Sequence, residues 1–249
     1  MLFHYKIMPF HSIFFIYSVF IIFAKITHKA MKKIILLISI VLLYGIQINA
    51  QNSDLFFVFL NNNPEKAVLS KSDAESLQAA HLKNMDKMAD EGKLIAAGPF
   101  EGGGGMLIIK AENQFKAWDY LNSDPAIKAD RFKVEVLPFM TWNGKICKSK
   151  NPENMVTYQF VRLISDQYFK GDENKMIHDN RIFMADLFNN NKGEVLVYGF
   201  FSAYNDGMVI FNTTPEKADY LISQHPAIKA GQLSFYLKPL NIAKGTFCE

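Results

Sequence analysis

The chain has 249 residues, of which 27 are basic, 24 are acidic and two are cysteine. Five of the basic residues and none of the acidic ones lie within residues 1–50, so the other 199 residues carry 22 basic and 24 acidic side chains, a net charge of −2. The charge therefore gives no indication that nucleic acid or an anionic surface is a partner, because the excess of basic residues lies in the N-terminal segment.

Residues 31–50 have the layout of a secretory signal peptide. The basic Met31–Lys33 precedes the apolar run Ile34–Tyr44, and Ile48 and Ala50 fit positions −3 and −1 of a cleavage site. We therefore expect an exported protein, periplasmic or extracellular, whose mature chain begins at Gln51. The residue directly after the cut is Gln51 rather than a cysteine, so we expect no stable membrane anchor once the signal is removed.

Residues 1–30 carry an apolar stretch of their own, from Ile7 to Ala24, which Pro9 and His11 interrupt. One interpretation is a membrane-spanning helix, since about 18 apolar residues lie near the lower limit for crossing a bilayer. The other is a misassigned start, with Met31 as the true initiator. We favour the second, because a signal peptide works at an N-terminus.

A tract repeated within the chain divides the remainder into two units. Pro125–Ala129 recurs letter for letter as Pro226–Ala230, 101 residues later. The same offset relates Gly92 to Gly193 and links many other positions. The sequence thus predicts a first repeat over 54–142, a polar linker over 143–154 and a second repeat over 155–249.

The first repeat reads as strand, helix, strand, strand, helix, strand. Ser72 and Glu75 form a capping-box pattern that predicts a helix start, and Gly92 is a typical residue just beyond a helix end. The order βαββαβ describes a ferredoxin-like unit. Its predicted elements are strands 54–60, 93–98, 106–110 and 132–139 and helices 72–91 and 113–121.

The second repeat follows the same plan, with Thr214 and Pro215 opening its second helix as cap and first helical residue. A sheet with helices on one face leaves its other face uncovered, and two such sheets in one chain can cover each other. The fold class predicted is therefore α+β, with tandem ferredoxin-like repeats forming an intramolecular pseudo-dimeric αβ barrel. We expect a monomer with an internal pseudo-twofold axis, or a higher oligomer. The predicted elements are strands 156–163, 195–201, 207–211 and 233–240 and helices from 172 and 214.

His81 and Asp124 are the candidate catalytic residues. His81 shares a helix face with Leu77, Met85 and Met88, so one interpretation is a core histidine bonded to backbone or water. Asp124 precedes a proline at a helix end, where an aspartate commonly makes a local turn. As a pair they have a chemical use: the carboxylate fixes the tautomer of the ring and leaves its other nitrogen free as a general base or acid.

The motifs of the first repeat, taken together, resemble the YCII-related (YciI-like) domain. They are His81, then Lys93–Pro99 (KLIAAGP), then Ser123–Pro125 (SDP), then Val136–Phe139 (VLPF). The resemblance covers about residues 54–142, and the second repeat looks like a diverged second copy.

This resemblance implies a ferredoxin-like fold that forms a dimeric αβ barrel, with an active site on His81 and Asp124. The pattern contains no nucleophilic serine or cysteine, so proton transfer on a small molecule, of isomerase or lyase type and without a cofactor, fits better than acyl transfer. The alternative is a non-catalytic barrel protein whose barrel pocket binds a small molecule.

The second repeat departs from the pattern at both candidate positions. At an offset of 101, Ile182 stands opposite His81 and His225 opposite Asp124, while His178 lies one helical turn before Ile182. The sequence therefore predicts one working site rather than two.

The remaining polar motifs give weaker signals. No two histidines or cysteines have metal-ligand spacing, so no metal site is predicted. Gly102–Gly105 lacks the lysine and hydroxyl residue of a phosphate-binding loop, so a flexible hairpin is the favoured interpretation over an anion cradle. Cys147 and Cys248 hold equivalent positions in the two repeats and would form a disulfide only if both lie near the pseudo-twofold axis. Otherwise they are separate thiols.

Overall fold

The computed structural model describes residues 55–166, 171–201 and 206–248, which belong to one compact unit. The predicted signal peptide and the apolar stretch before it lie outside the described residues. None of the helices described is both long and apolar enough to cross a bilayer.

The first repeat has the predicted order of elements. Its short helix α3 is the repeated PAIK tract, and β4 runs four residues further than predicted before a short strand, β5. The elements are β1 (Leu55–Asn62), α1 (Lys71–Asp90), β2 (Leu94–Pro99), β3 (Gly105–Lys110), α2 (Gln114–Leu121), α3 (Pro125–Lys128), β4 (Phe132–Asn143) and β5 (Lys145–Ile146).

The second repeat repeats this order. Thr214 caps its second helix, and Pro215 is the first residue of that helix, as predicted. The elements are β6 (Met155–Ser165), α4 (Glu173–Asn190), β7 (Val195–Phe200), β8 (Gly207–Phe211), α5 (Pro215–Ser223), α6 (Pro226–Lys229), β9 (Leu233–Ala243) and β10 (Phe247–Cys248).

The start of α1 differs from the prediction by two residues. Ser70, not Ser72, is the N-cap, and its hydroxyl accepts a hydrogen bond from the Asp73 amide at 3.1 Å. A cap residue followed three positions later by an acidic residue occurs at both registers, and the chain uses the earlier one. The helix ends as predicted at Gly92, whose φ of 71° lets the amide of Lys93 reach the carbonyl of Met88 at 2.9 Å.

The eight long strands form one sheet in the order β2-β3-β1-β4-β7-β8-β6-β9, and the sheet closes on itself. The repeats join where β4 pairs with β7, with Met140 opposite Phe200. At the symmetry-related seam between β9 and β2, Phe100 pairs with Leu240, and the Glu101 amide donates to the carbonyl of Pro239 at 2.9 Å. The two repeats thus build the predicted αβ barrel within one chain.

Aromatic side chains fill the interior of the barrel. Phe57 contacts Phe139, Phe160 and Phe201 at ring-centroid distances of 5.0–5.7 Å, and all four rings are fully or almost fully buried. The alternate residues of the strands point to the other face of the sheet, where they form two further cores, one beneath the helices of each repeat. Packed side chains thus occupy the interior of the barrel.

Candidate active site

His81 and Asp124 lie in direct contact although 43 residues separate them. The Nδ1 atom of His81 is 3.0 Å and 2.9 Å from the two carboxylate oxygens of Asp124. Asp124 is fully buried and His81 is 8 % exposed. Helix α1 supplies the histidine and the turn before α3 supplies the aspartate, so the packing of these two helices creates the pair.

Asp124 is held by the start of α3. As N-cap of this helix, its Oδ1 accepts hydrogen bonds from the amides of Ala126 and Ile127 at 2.9 Å and 3.1 Å, and Pro125 takes the first helical position. Burial raises the pKa of the carboxyl. The hydrogen bond and charge of His81, together with the Ile127 amide, lower this pKa by more than burial raises it, so it lies below the ordinary value of 3.8. Asp124 is therefore ionised at neutral pH.

An ionised carboxylate only accepts hydrogen bonds, so in neutral His81 the Nδ1 atom carries the hydrogen. The Nε2 atom then holds the lone pair, and among the described residues nothing is hydrogen-bonded to it. The side chain of His81 also lines a groove. The pair thus presents one basic nitrogen to that groove, while both oxygens of Asp124 are engaged within the protein.

Asn84 is a third member of this arrangement that the sequence analysis missed. Its amide donates to Oδ2 of Asp124 at 3.1 Å, and its own carbonyl accepts from the hydroxyl of Ser123 at 3.2 Å. Asn84 lies three residues after His81, and residues three apart share a helix face. That spacing was the available signal.

The groove has a volume of about 1040 Å³ and lies between α1 and β2, on the helix side of the barrel. Its floor is formed by small and apolar residues of β2, including Ala97. Its ends are covered by the strap, residues 63–69, and by the connector, residues 147–154. A volume of this size accommodates a small organic molecule.

The second repeat holds a different pair in the same place. Asn180 of α4 accepts a hydrogen bond at 2.7 Å from Nε2 of His225, while Nδ1 of His225 accepts from the amide of Ala227 at 3.0 Å. His225 caps α6 as Asp124 caps α3. Burial lowers the pKa of His225 to about 4, so this ring is neutral.

Asn180, rather than Ile182, is the counterpart of His81, so the alignment at an offset of 101 was wrong for this helix. The buried residues His81, Met85 and Met88 of α1 correspond to Asn180, Met184 and Leu187 of α4, each 99 residues later. Ile182 is 49 % exposed and His178 is also exposed, so neither faces the fully buried His225. A shift of two residues rotates a helix by more than half a turn, which places different side chains toward the sheet.

Three aromatic side chains occupy the part of the second repeat that corresponds to the groove. Tyr198 and Phe200 of β7 stand where β2 has Ala97 and Pro99, and Trp142 at the end of β4 stands where β9 has Ala243. Tyr198 contacts Phe200 at 5.0 Å, Phe200 contacts Trp142 at 5.6 Å, and the fully buried Tyr198 hydroxyl accepts from the Asn180 amide at 3.3 Å. The guanidinium of Arg181 covers Trp142 at 5.1 Å. These substitutions account for an open groove in one repeat and packed rings in the other.

Cys147 and Cys248 form a disulfide between the ends of the two repeats, with their Cα atoms 6.1 Å apart. The bond lies beside β5 and β10, which pair with each other. The connector that follows Cys147 forms one end of the groove, where the Lys148 ammonium donates to the carbonyl of Ala89 at 2.6 Å. The disulfide therefore anchors a wall of the groove.

The glycine loop is a tight turn between β2 and β3. Gly102, Gly103 and Gly104 all have positive φ, and a side chain on Gly104 would approach the carbonyl oxygen of Leu60 to 2.5 Å. Gly104 borders the groove. Among the described residues, no group of three or more histidine, cysteine, aspartate or glutamate side chains is placed to bind a metal ion.

The described residues form a closed αβ barrel of two ferredoxin-like repeats with a groove on its helix side, and this architecture defines the class of protein. The YCII-related domain family matches residues 55–140, which run from β1 into β4. The first repeat is therefore a YCII-related domain, as its motifs predicted. Membership of the second repeat in the family stays a prediction.

Several solved structures are similar to this chain. A 5-chloro-2-hydroxyhydroquinone dehydrochlorinase from Burkholderia phenoliruptrix, in complex with 2,5-dihydroxybenzoquinone, is 24% identical over 36% of this chain and 95% of that chain, with a TM-score of 0.29. An anthrone oxidase-like protein is 6% identical over 76% and 90%, with a TM-score of 0.43. A siroheme decarboxylase is 6% identical over 86% and 82%, with a TM-score of 0.43. Comparison with curated protein sequences gives no match.

Proposed function

We propose that the protein is an enzyme that moves a proton within a small molecule, with His81 as general base and then general acid. The observation that carries the proposal is that Asp124 binds Nδ1 of His81 while the same ring lines the groove. The YCII-related domain and the groove fit a protein that acts on or binds a small molecule. The contact between His81 and Asp124 is the specific feature that favours catalysis over binding alone.

The proposed reaction needs no nucleophile from the protein. Nε2 of His81 takes a proton from a carbon next to a carbonyl, and the electron pair of that C–H bond moves into an enolate. Asp124 stabilises the imidazolium that forms. Return of the proton to a different carbon gives an isomer, and departure of a leaving group from the neighbouring carbon gives an elimination product. Asp124 itself does not receive the proton, because it is fully buried behind His81.

The test is a screen of small carbonyl and phenolic compounds in deuterated water, followed by NMR. If the enzyme transfers a proton, a compound is converted or one of its C–H bonds becomes C–D. We expect His81→Gln to reduce the rate of this reaction by roughly 10²–10⁴-fold. Asp124→Asn reduces it too, because an amide that donates to Nδ1 favours the tautomer with hydrogen on Nε2. His178→Gln, which changes an exposed histidine of the second repeat, leaves the rate unchanged. Compounds that bind equally to wild type and His81→Gln, without exchange or conversion, would establish the binding protein instead.

We also propose that the protein is exported and cleaved before Gln51. The Cys147–Cys248 disulfide supports this, since disulfides persist in oxidising compartments. The intact mass of the protein recovered from the periplasm or medium tests the proposal. A chain that retains residues 31–50, or that is found only in the cytoplasm, would contradict it.

A further inference from the structure

We propose that the groove binds its ligand through a negatively charged group, held by Lys66 and Arg131 beside His81. This inference names the substrate class of the site proposed above and rests on that site being the functional one. The ligand class is a small molecule with a carboxylate or a similar anion.

Charged side chains of both signs line the groove. The fixed charges that line it are Lys66, Arg131 and Lys148 on the basic side and Asp86 and Asp90 on the acidic side. Asp86 and Asp90 lie five and nine residues after His81 on α1, so they are roughly 7 Å and 13 Å further along the helix axis. Lys148 contacts the carbonyl of Ala89, near the same end. The acidic side chains therefore lie toward the C-terminal end of α1 from His81, where Lys148 supplies a cation.

Arg131 is connected to His81 through Phe132. The ring of Phe132 lies 6.0 Å from the ring of His81, and Arg131 is the residue before it. The guanidinium of Arg131 donates to the carbonyl of Ala67, the neighbour of Lys66. A continuous set of contacts thus leads from His81 through Phe132 and Arg131 to the strap that carries Lys66.

Hydrogen bonds to Asp130 and Arg131 hold the strap in position. Asn63, which is fully buried, donates from its side chain to the carbonyl and the carboxylate of Asp130 at 2.8 Å and 2.9 Å. The backbone amide of Asn63 donates to the carbonyl of Arg131 at 3.1 Å, and the backbone amide of Lys66 donates to the backbone carbonyl of Asn63 at 3.3 Å. Asp130 is thereby engaged with Asn63, and it does not line the groove.

Lys66 is a partly buried residue that lines the groove, and among the described residues no carboxylate or other acceptor binds its ammonium. An ammonium near apolar walls without a counter-ion attracts an anion more strongly than one in open solvent does. Arg131 adds a second positive charge beside it. An anionic ligand would complete this end of the groove with its reactive carbon toward His81.

The experiment compares two probes of nearly equal shape, benzoate and benzamide, by calorimetry or ligand-observed NMR on the disulfide-bonded protein at low ionic strength. We expect benzoate to bind at least about fivefold more tightly than benzamide, a difference of the size of one partly exposed ion pair. Lys66→Gln removes this preference and leaves benzamide binding unchanged, and Lys66→Arg keeps it. The matched control is Lys83→Gln, which removes an exposed lysine of α1 that does not line the groove.

Equal affinity for the two probes, or equal effects of Lys66→Gln and Lys83→Gln, would overturn the anion site. That result would leave proton transfer by His81 intact, because its test includes neutral substrates. Retained preference for benzoate, together with no proton exchange for any compound, would remove the enzyme proposal and keep the anion site.

Discussion

His81 and Asn180 occupy the same place in the two repeats, yet their partners have exchanged roles. In the first repeat the cap residue before the PAIK tract is an ionised carboxylate that accepts from a histidine. In the second repeat the cap is the histidine, and it donates to the asparagine. Both arrangements satisfy the buried polar atoms of the helix start, so the fold tolerates either one. Only the first arrangement leaves a basic nitrogen on a groove.

The buried His225 predicts a loss of stability in mild acid. Its pKa is about 4 in the folded protein and near 6.5 when unfolded, so between these values the unfolded chain binds more protons. The stability that the neutral His225 ring contributes is fully present well above pH 6.5 and is lost as the pH falls toward 4. We expect the free energy of unfolding to drop by roughly 2 kcal/mol from this residue between pH 7 and pH 5.

Urea unfolding of the wild type and His225→Asn at both pH values measures this effect. Asparagine can still accept from the Ala227 amide and donate to Asn180, but it does not titrate. The variant should therefore lose about 2 kcal/mol less than the wild type on acidification. An equal loss in both proteins would show that His225 is not buried as a neutral ring.

At the scale of elements, single residues of the sheet decide whether a groove exists. Ala97 of β2 leaves space beneath α1, whereas Tyr198 of β7 fills the corresponding space beneath α4. The backbone of the two strands is otherwise alike, since both show the same register shift near their start. The size of this side chain is thus one of the differences that separate the open repeat from the closed one.

Ala97→Tyr should therefore close the groove without unfolding the protein. The new ring can take the place that Tyr198 takes in the second repeat, with its hydroxyl near His81. We expect binding of benzoate to weaken at least about tenfold, while the midpoint of thermal unfolding stays close to that of the wild type. Ala97→Ser, which adds one oxygen atom, is the matched control. Unchanged probe binding in Ala97→Tyr would place the binding site elsewhere.

The sequence was sufficient to predict the strands and the barrel, because alternation, glycine positions and the repeat offset all agree for them. It was not sufficient for α4. Equivalent strand residues of the two repeats are 101 positions apart. The second repeat, however, has two more residues between Asn180 and Gly193 than the first has between His81 and Gly92. The evidence for this insertion is the buried face of α4, formed by Met176, Asn180, Met184 and Leu187. The contact between His81 and Asp124 followed from the family pattern. The groove did not, since its walls come from the strap and the connector, which lie far apart in sequence.

At the scale of the whole molecule, the duplication divides two tasks between copies. One repeat keeps the polar pair and the groove, and the other supplies the remaining half of the barrel. The connector and the Cys147–Cys248 disulfide join the copies beside the groove. A two-chain barrel of identical subunits would have two equal grooves, whereas the single chain can specialise one of them.

The two repeats hold His81 and His225 in opposite tautomers, and of these two rings only His81 has its basic nitrogen on the groove. Ring ¹⁵N chemical shifts, measured by long-range ¹H–¹⁵N NMR on labelled protein at a pH where both rings are neutral, report the tautomers directly. The structure predicts hydrogen on Nδ1 of His81, which Asp124 accepts, and hydrogen on Nε2 of His225, which Asn180 accepts. His81→Gln and His225→Asn assign the two signals. Hydrogen on Nε2 of His81 would contradict the account, because the groove would then face a donor rather than a base.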